Sequence, residues 1–355
     1  MTIKDVARRA GVGIATVSRT LNGSSQVSPE TAARVLKVVE ELGYRPNSTA
    51  QSLVSGRSHM LGLVVSDITN PFFPELFKGF EDVALQNGYD VLVASTNYDT
   101  ARTTLCVQRM IERKIDGVAI MTSEIDPSHK DTFARRKVPL VFLDVGRVGR
   151  WVSNVKVDYG AGIAQAVEHL SGLGHRRIAF ISGPDSLASA RERRDAFLRL
   201  LSDPCFGAWR ETATEEGNHK VDGGLKAMLR LLARAPRPTA VMASNDLTAI
   251  GAMRAIRQWG LRVPEDISVV GFDDIQMAEF TEPPLTTVRL LRTEIARLAC
   301  DALVQSIVTH GTGVEYRMST TLVVRDSTAK ALAARDRLPA EGEPAIAEQI
   351  VTAIE

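Results

Sequence analysis

The sequence predicts an N-terminal all-α helix-turn-helix headpiece followed by a much larger α/β body with two lobes. Two observations lead to this prediction. Residues 2–22 contain two short helical patterns with a glycine between them, and from residue 59 onward apolar runs of strand length alternate with helical patterns. Continuous apolar strands separated by helices are typical of parallel sheets that are covered on both faces. Two such series in succession indicate two lobes with a cleft between them.

The first two helices meet at a glycine turn. Thr2 can cap the first helix, and the side chain of Asp5 can accept a hydrogen bond from the backbone N–H of Thr2 to complete a capping box. Gly11 can adopt the positive φ that a tight turn at the end of this helix needs. A second helix is predicted over residues 14–21, and its outer face carries apolar, hydroxyl and guanidinium groups: Ile14, Ala15, Thr16, Ser18 and Arg19. Such a row can read base edges in the major groove. The alternative is an ordinary helical hairpin.

A third helix is predicted to begin at Ser28, with Pro29 in its first turn and Leu36 on its apolar face, and to end at Gly43. The ordered segments DVARRAGV, ATVSRTLNG, VSPET and VLKVVEELGYRPN resemble the DNA-binding headpiece of the LacI/GalR family of bacterial transcription regulators. The resemblance implies a homodimer that binds a near-palindromic operator and responds to a small molecule. It also implies that Asn22 contacts DNA.

The charge distribution agrees with contact to DNA at one end of the chain. Residues 1–58 carry eight Lys or Arg and four Asp or Glu, whereas the remaining residues carry 35 basic and 38 acidic side chains. A basic headpiece on a slightly acidic body suits phosphate contact by the headpiece alone.

Residues 47–58 are small and polar, which is typical of a linker, but they include the short helical segment AQSL. One turn of helix is not stable alone in water, so residues 47–58 could equally form a flexible linker. The resemblance implies instead a hinge helix that forms when two subunits and DNA meet. Its contacts to DNA would be made by Ala50, Gln51 and Leu53, with Leu53 as a wedge in the minor groove. Many relatives have Arg at the position of Gln51, and Gln brings no charge.

The body begins with apolar strands that are followed by helical patterns. Strands are predicted in the first lobe at residues 60–65, 89–94, 117–121, 139–145 and 155–157, and in the second at 177–182, 239–243 and 267–272. Helices are predicted through 80–84, around 105–110, near 133, and at 164–173, 191–201, 225–232, 248–259 and 294–308. The body resembles the type I periplasmic binding protein fold, and the segment PPLTT at residues 283–287 resembles that family's crossover back to the first lobe.

These observations predict the following organisation. The headpiece covers residues 1–46, the hinge helix and linker 47–58, the effector-binding and dimerisation domain 59–328, and a mobile tail 329–355. The first lobe takes about 59–158 and 288–316, and the second about 159–287 and 317–328. Partner contacts are expected from first-lobe helices around residues 77–84 and 105–110. The tail does not hold a leucine heptad across its two prolines, so it offers no support for a tetramer.

Ligands of open α/β sheets bind beyond the carboxyl ends of the strands, so polar residues that follow strands are the candidates. The segment DITNPFF, which begins at Asp67, resembles a family motif after the first strand. The resemblance implies that Arg193 clamps effector oxygens and that Asp273 accepts sugar hydroxyls. The effector-binding candidates are Asn70, Phe72, Phe73, Asp144, Arg193, His219, Asn245 and Asp273. Asp67 is interpreted as structural and Asp246 as a helix cap. His219 stands where relatives often stack an aromatic residue.

Enzyme motifs are missing from the sequence. It contains no phosphate-binding loop, no zinc-protease motif and no nucleophile elbow. The segment GAGIAQ, from Gly160 to Gln165, is a broken dinucleotide fingerprint that close packing explains equally well. The three cysteines are far apart and have no metal or disulfide spacing: Cys106, Cys205 and Cys300. No catalytic residue, cofactor or metal is therefore expected.

No window of the sequence is an apolar span of membrane length, and the N-terminus does not resemble a signal peptide. These features predict a cytoplasmic, nucleoid-associated DNA-binding regulator, with a sugar as the favoured effector. A purine or nucleoside is the alternative effector, since Phe72 and Arg193 could also bind a base. The second class of function is a transporter's solute-binding protein, which the headpiece and the missing signal peptide disfavour. The sequence does not determine whether the effector releases DNA or promotes binding.

Overall fold

The computed structural model describes residues 1–21, 23–45, 56–122, 135–144, 147–202 and 211–331. The chain forms two compact units, Met1–His59 and Met60–Glu355. Within the described residues, none of the helices has both the length and the apolar character needed to cross a membrane. The predicted hinge helix, the helix near residue 133 and the tail beyond residue 331 lie outside the described residues.

In the N-terminal unit, the described residues form the helices α1 (Ile3–Ala10), α2 (Ile14–Leu21) and α3 (Pro29–Glu41). The backbone N–H of Thr2 donates to Asp5 Oδ2 over 2.9 Å, which is the returning bond of the predicted capping box. Gly11 adopts φ 67° and ends α1. A small core holds the helices together, and its buried members are Val6, Ala7, Ala10, Val17, Val35 and Val38. The prediction that Leu36 lies on the apolar face of α3 is wrong, because Leu36 is 51% exposed.

The first lobe of the body is built on a six-stranded parallel sheet. Its strands are β1 (Met60–Val65), β2 (Asp90–Ser95), β3 (Gly117–Met121), β4 (Leu140–Leu143), β5 (Val152–Asp158) and β11 (Glu315–Ser319). Their order across the sheet is β11-β5-β4-β3-β1-β2. The helices α4 (Phe72–Gln86), α5 (Thr100–Glu112) and α10 (Arg292–Val308) belong to this lobe. Gly79 lets α4 approach α10 closely, since a Cβ there would lie 3.2 Å from Ala296 Cβ.

The second lobe contains a six-stranded sheet with the strands β6 (Arg177–Ser182), β7 (Glu211–Glu216), β8 (Ala240–Ala243), β9 (Ser268–Asp273), β10 (Thr286–Arg289) and β12 (Thr321–Val323). Their order is β12-β10-β9-β8-β6-β7, and among these described strands β10 and β12 pair antiparallel while the other neighbours are parallel. Its helices are α6 (Tyr159–Gly172), α7 (Ala188–Leu201), α8 (Val221–Leu232) and α9 (Asp246–Gln258), and a 3₁₀ turn covers Gln276–Glu279.

The chain crosses between the lobes at slightly different points from those expected. Thr286 and Thr287 pair with β9 in the second sheet, so the return to the first lobe follows Arg289 and does not lie within PPLTT. The last strand of the first sheet, β11, runs to Ser319, past the expected boundary at 316. The strand β11 (EYRMS) was not predicted because it is polar, and β7 (ETATEE) was missed for the same reason. Both strands are edge strands, which have less surface to bury.

The glycine-rich start of α6 is explained by packing. A Cβ on Gly162 would overlap Val288 and Thr320 Oγ1. The backbone N–H of Gly162 donates to that same Oγ1 over 2.9 Å, and Thr320 Oγ1 in turn donates to the carbonyl of Asp158 over 2.8 Å. The glycine therefore lets α6 approach the strands of the second sheet, and no dinucleotide is needed to account for it.

Candidate functional site

A cavity lies at the carboxyl ends of the strands of both lobes. It encloses about 580 Å³ of empty space, part of which is open to solvent. All eight side chains predicted from the sequence line this one cavity: Asn70, Phe72, Phe73, Asp144, Arg193, His219, Asn245 and Asp273. The parallel strands explain this convergence, because their carboxyl ends meet at the same edge of each sheet.

The first turn of α4 lines the cavity with two aromatic rings. Asn70 Oδ1 accepts from the backbone N–H of Phe72 over 3.1 Å and so holds the first turn of α4. The rings of Phe72 and Phe73 pack edge to face with their centroids 5.1 Å apart. Asp67 Oδ1 accepts from both the backbone N–H and the hydroxyl of Thr69, in agreement with the structural role assigned to it.

Asp144 is the acidic group of the first lobe and follows β4 in a left-handed conformation, with φ 65°. Its Oδ1 accepts from the backbone N–H of Val157 over 2.8 Å, and its Oδ2 accepts from the hydroxyl of Tyr159 over 2.5 Å. Burial raises the pKa of Asp144 to about 6, although these two hydrogen bonds oppose the rise. The carboxyl therefore titrates near neutral pH.

Arg193 is the cation of the second lobe and is buried within α7. Its Cζ lies 4.8 Å from the centroid of the Tyr159 ring and 4.1 Å from that of Phe272, so two aromatic rings hold the guanidinium. Its Nη1 donates to the carbonyl of Ser244 over 2.5 Å. These contacts leave Arg193 little freedom to turn, so the protein itself fixes the position of the guanidinium.

Arg193 also pairs with Asp273 at the end of β9. Arg193 Nη2 lies 3.4 Å from Asp273 Oδ1, and both side chains are only 7% exposed. Burial raises the pKa of Asp273 to about 6 against the opposing charges of Arg193 and Arg292. Neither Arg193 Nε nor Asp273 Oδ1 has a hydrogen-bond partner within the described part of the chain, and both atoms are buried. A buried polar atom without a partner is unfavourable, so this pair can gain from a ligand.

His219 adds a neutral group to the cavity. Burial and the nearby charge of Arg193 lower the pKa of His219 to about 3, so its ring is uncharged at neutral pH. His219 Nε2 lies 2.9 Å from Ser244 Oγ. Asn245 Nδ2 donates to the carbonyl of His219 over 3.0 Å, which ties the two residues together.

The capping role expected of Asp246 belongs to its neighbour. Asn245 Oδ1 accepts from the backbone N–H of Thr248 over 2.9 Å and caps α9. Asp246 is inside the first turn, where its carboxyl accepts from the backbone N–H of Ile275 and the hydroxyl of Thr287. These bonds tie α9 to the strands, so the cap interpretation of Asp246 was wrong.

The sequence did not predict every side chain of the cavity. Tyr159 is the most important omission, because it contacts Asp144 and Arg193 together. A usable signal was present, since Tyr159 directly follows a strand that ends in Asp158. The other lining residues that were not predicted are Ser66, Tyr98, Met121, Thr122, Leu143, Leu187, Ser189 and Leu290.

The N-terminal unit presents the predicted base-reading face. Val17 and Thr20 of α2 are buried, whereas Ile14, Ala15 and Arg19 are exposed. Thr16 and Ser18 are partly exposed. The remaining predicted DNA contacts lie outside the described residues: Asn22, Ala50, Gln51 and Leu53. Across the described ranges, no group of three His, Cys, Asp or Glu side chains could hold a metal ion.

Comparisons with known proteins found matches for both units of the chain. A family model described as bacterial regulatory proteins, lacI family, matches residues 2–47, and one described as a periplasmic binding protein-like domain matches 167–328. The chain is 33% identical to the HTH-type transcriptional repressor PurR of Vibrio vulnificus, with 93% of this chain and 99% of PurR covered. It is 32% identical to the ribose operon repressor of Escherichia coli, with 92% and 98% covered. A lac repressor dimer bound to operator and the anti-inducer ONPF superposes with TM-score 0.82 at 30% identity, with 93% and 99% covered.

Proposed function

The chain belongs to the lacI family of bacterial regulatory proteins, and we propose that it is a repressor whose affinity for operator DNA is set by a sugar bound between the two lobes of its body. The observation that carries this proposal is the convergence of the eight predicted side chains on a single cavity. Catalysis has no part in the proposal.

The N-terminal unit supports DNA binding. Its core buries Val17 and so presents the opposite face of α2, where Ile14 is 45% exposed and Arg19 is also exposed. Ile14 and Ala15 suit contacts with thymine methyl groups, and a guanidinium such as that of Arg19 can bridge a guanine. One headpiece makes few base contacts, so the operator is proposed to be near-palindromic and bound by a homodimer.

The dimer is proposed to form through helices of the first lobe. The expected contact segments must be narrowed, because Phe80, Ala84 and Met110 are buried in the protomer's own core. Within the second expected segment, Leu105 on α5 is 44% exposed and available, and Leu85 on α4, one residue beyond the first segment, is 56% exposed. Sedimentation at micromolar concentration tests this proposal, and a monomer in both the presence and absence of DNA would contradict it.

The cavity favours a sugar over other small metabolites. Asp144 and Asp273 offer carboxylate acceptors, Arg193 offers donors, and Phe72 offers a flat apolar face of the kind that packs against a sugar ring. A purine is the second candidate, because the same ring could stack on a base and a relative is named PurR. The sugar is favoured because carboxylates match its many hydroxyl donors.

The two lobes provide the switch. A sugar that contacts Asp144 in the first lobe and Arg193 in the second would favour one relative orientation of the lobes. A preference of about 1–3 kcal/mol would change operator affinity roughly 5- to 150-fold. The predicted linker joins the headpiece to the first lobe along the chain, so we propose that a change in lobe orientation acts on the DNA-binding unit through it.

A ligand screen followed by a DNA-binding assay tests the proposed function. The operator is first selected from random duplexes with the purified full-length protein. Thermal shifts are then recorded with D-ribose, D-glucose, D-fructose, cellobiose, hypoxanthine and guanine, since a bound ligand raises the melting temperature. Each hit is titrated into the operator complex and followed by fluorescence anisotropy. The proposal predicts that a sugar stabilises the body and changes operator affinity, and a response to nucleobases alone would contradict it.

A further inference from the structure

The balance of charge in the cavity restricts which sugars it can take. Among the described residues that line the cavity, the charged side chains are Asp144, Arg193 and Asp273. Two acids therefore face one base. An anionic ligand needs an unengaged cation, since burying an unpaired charge is strongly unfavourable.

The charge of the Arg193 guanidinium is already paired with an acid. Its Nη1 donates to Ser244 and its Nη2 is paired with Asp273, while two aromatic rings cover its faces. The nearby Arg292 is engaged in the same way, with Glu75 and the carbonyl of Asp273. A phosphate entering the cavity would compete with Asp273 for the guanidinium of Arg193.

The remaining polar groups of the described lining do not supply a positive charge. His219 is neutral because burial lowers its pKa to about 3. The first turns of α4 and α9 could attract an anion through their backbone N–H groups. Each of these two turns already has an N–H bonded to a side-chain oxygen, one to Asn70 and the other to Asn245.

A hydroxyl group can satisfy the two buried atoms that lack a hydrogen bond. Arg193 Nε is a donor and Asp273 Oδ1 is an acceptor, and both are buried without hydrogen bonds in the described structure. A hydroxyl both accepts and donates, so one hydroxyl or two adjacent ones can satisfy both atoms. A phosphate ester oxygen can only accept from Arg193 and repels Asp273.

We infer that the effector is an uncharged sugar and that its phosphate esters are excluded, an inference that rests on the proposed function. The cavity thus distinguishes a free sugar from the phosphorylated sugar that an intracellular kinase would make of it. The regulator would then respond to unmetabolised sugar and not to the first phosphorylated product.

Matched pairs of ligands test the inference directly. Binding is measured by calorimetry on the full-length protein with D-ribose and D-ribose 5-phosphate, D-glucose and D-glucose 6-phosphate, and D-fructose and D-fructose 6-phosphate. In the pair that contains the best sugar, the phosphate ester should bind about tenfold or more weakly, since like charges in a partly buried site repel strongly.

Variants separate charge from shape. Asp144→Asn removes one of the two cavity acids with little change in size, so the ratio of phosphate ester to sugar affinity should rise in this variant. Asp90→Asn is the control, because it removes an exposed acid of the same lobe, outside the cavity. The ratio should stay at the wild-type value in the control.

The outcomes distinguish the inference from the proposed function. A phosphate ester that binds as tightly as its parent sugar, or more tightly, overturns the inference and leaves a sugar-responsive regulator standing. An equal rise of the affinity ratio in Asp144→Asn and Asp90→Asn overturns the assignment of selectivity to the cavity acids. Binding of nucleobases with no binding of any neutral sugar overturns the proposed function, and the inference with it.

Discussion

The hydroxyl of Tyr159 donates to the carboxylate of Asp144 over 2.5 Å, while the ring of the same residue lies 4.8 Å from the guanidinium of Arg193. Asp144 follows a strand of the first lobe, and Arg193 belongs to a helix of the second. Tyr159 is the first residue of α6, where the chain enters the second lobe. One side chain therefore contacts the acidic group of one lobe and the cation of the other.

We predict that Tyr159→Phe weakens sugar binding and lowers stability while it keeps the ring beside Arg193. Among the described residues, the change leaves the backbone N–H of Val157 as the donor to the Asp144 carboxylate, so the free energy of unfolding should fall by about 1–3 kcal/mol. Calorimetry and urea unfolding measure the two effects. Tyr316→Phe is the control, because Tyr316 lies in β11 outside the cavity lining. Equal effects of the two substitutions would contradict the role of Tyr159.

We predict that Arg193→Ala abolishes the sugar-induced thermal shift and leaves operator binding without sugar intact. The substitution removes the only guanidinium among the described lining residues, and the headpiece forms a separate unit. Arg193→Lys should not restore the response, because an ammonium lacks the planar donor array that stacks between two rings. Arg199→Ala, an exposed position on the same helix, serves as the control. A wild-type response of Arg193→Ala at the same sugar concentration would mean that the ligand binds elsewhere.

We predict that the body becomes less stable as the pH rises, because the carboxyl of Asp144 loses its proton. Its folded pKa of about 6 exceeds the ordinary value of 3.8, so between these values the folded protein holds a proton that the unfolded chain has released. The bound proton stabilises the folded protein in full below pH 3.8, and this contribution is lost as the pH rises through 6. Between pH 5 and 7, wild type should lose about 1 kcal/mol more unfolding free energy than Asp144→Asn.

Urea unfolding followed by tryptophan fluorescence measures this difference. All three tryptophans follow residue 150, so the signal reports the body and not the headpiece. Asp90→Asn should keep the wild-type pH dependence. If Asp144→Asn also kept it, the carboxyl of Asp144 would not be the titrating group.

We predict that Gly183→Ala disturbs the cavity through His219. A Cβ at residue 183 would overlap the imidazole, which is buried and held by Ser244. The ring must move, so stability should fall by about 1–3 kcal/mol and sugar affinity should fall as well. Gly149→Ala is the matched control, because a Cβ there meets nothing within 4 Å. Adding His219→Ala should recover stability, and a failure to do so would place the strain elsewhere.

We predict that Arg19→Ala weakens operator binding by about 1–3 kcal/mol and relaxes selectivity at one base pair of each half-site. The guanidinium is exposed on the outer face of α2, where it can reach a base edge. Competition between selected and random duplexes measures the effect, with Arg34→Ala, an exposed position on α3, for comparison. Equal losses on both duplexes would show that Arg19 contacts only phosphate.

Local sequence features predicted much of the secondary structure. The structure confirms α2 at Ile14–Leu21, β1 at Met60–Val65 and β6 at Arg177–Ser182 with the expected bounds. Caps and apolar runs act over a few residues, so they can be recognised without knowledge of the fold. The polar edge strands β7 and β11 lack that signal, because the contacts that hold them come from distant parts of the chain.

The sequence by itself determined the order of the two units and placed polar side chains at strand ends, from Asn70 to Asp273. The tertiary structure decided what those side chains do. It gave the cap of α9 to Asn245 and joined Asp246 to the strands. It also brought Tyr159 between Asp144 and Arg193. The physical reason is that hydrogen-bond partners and ring contacts depend on which strands become neighbours, and residues far apart in the chain meet only after the sheets have formed.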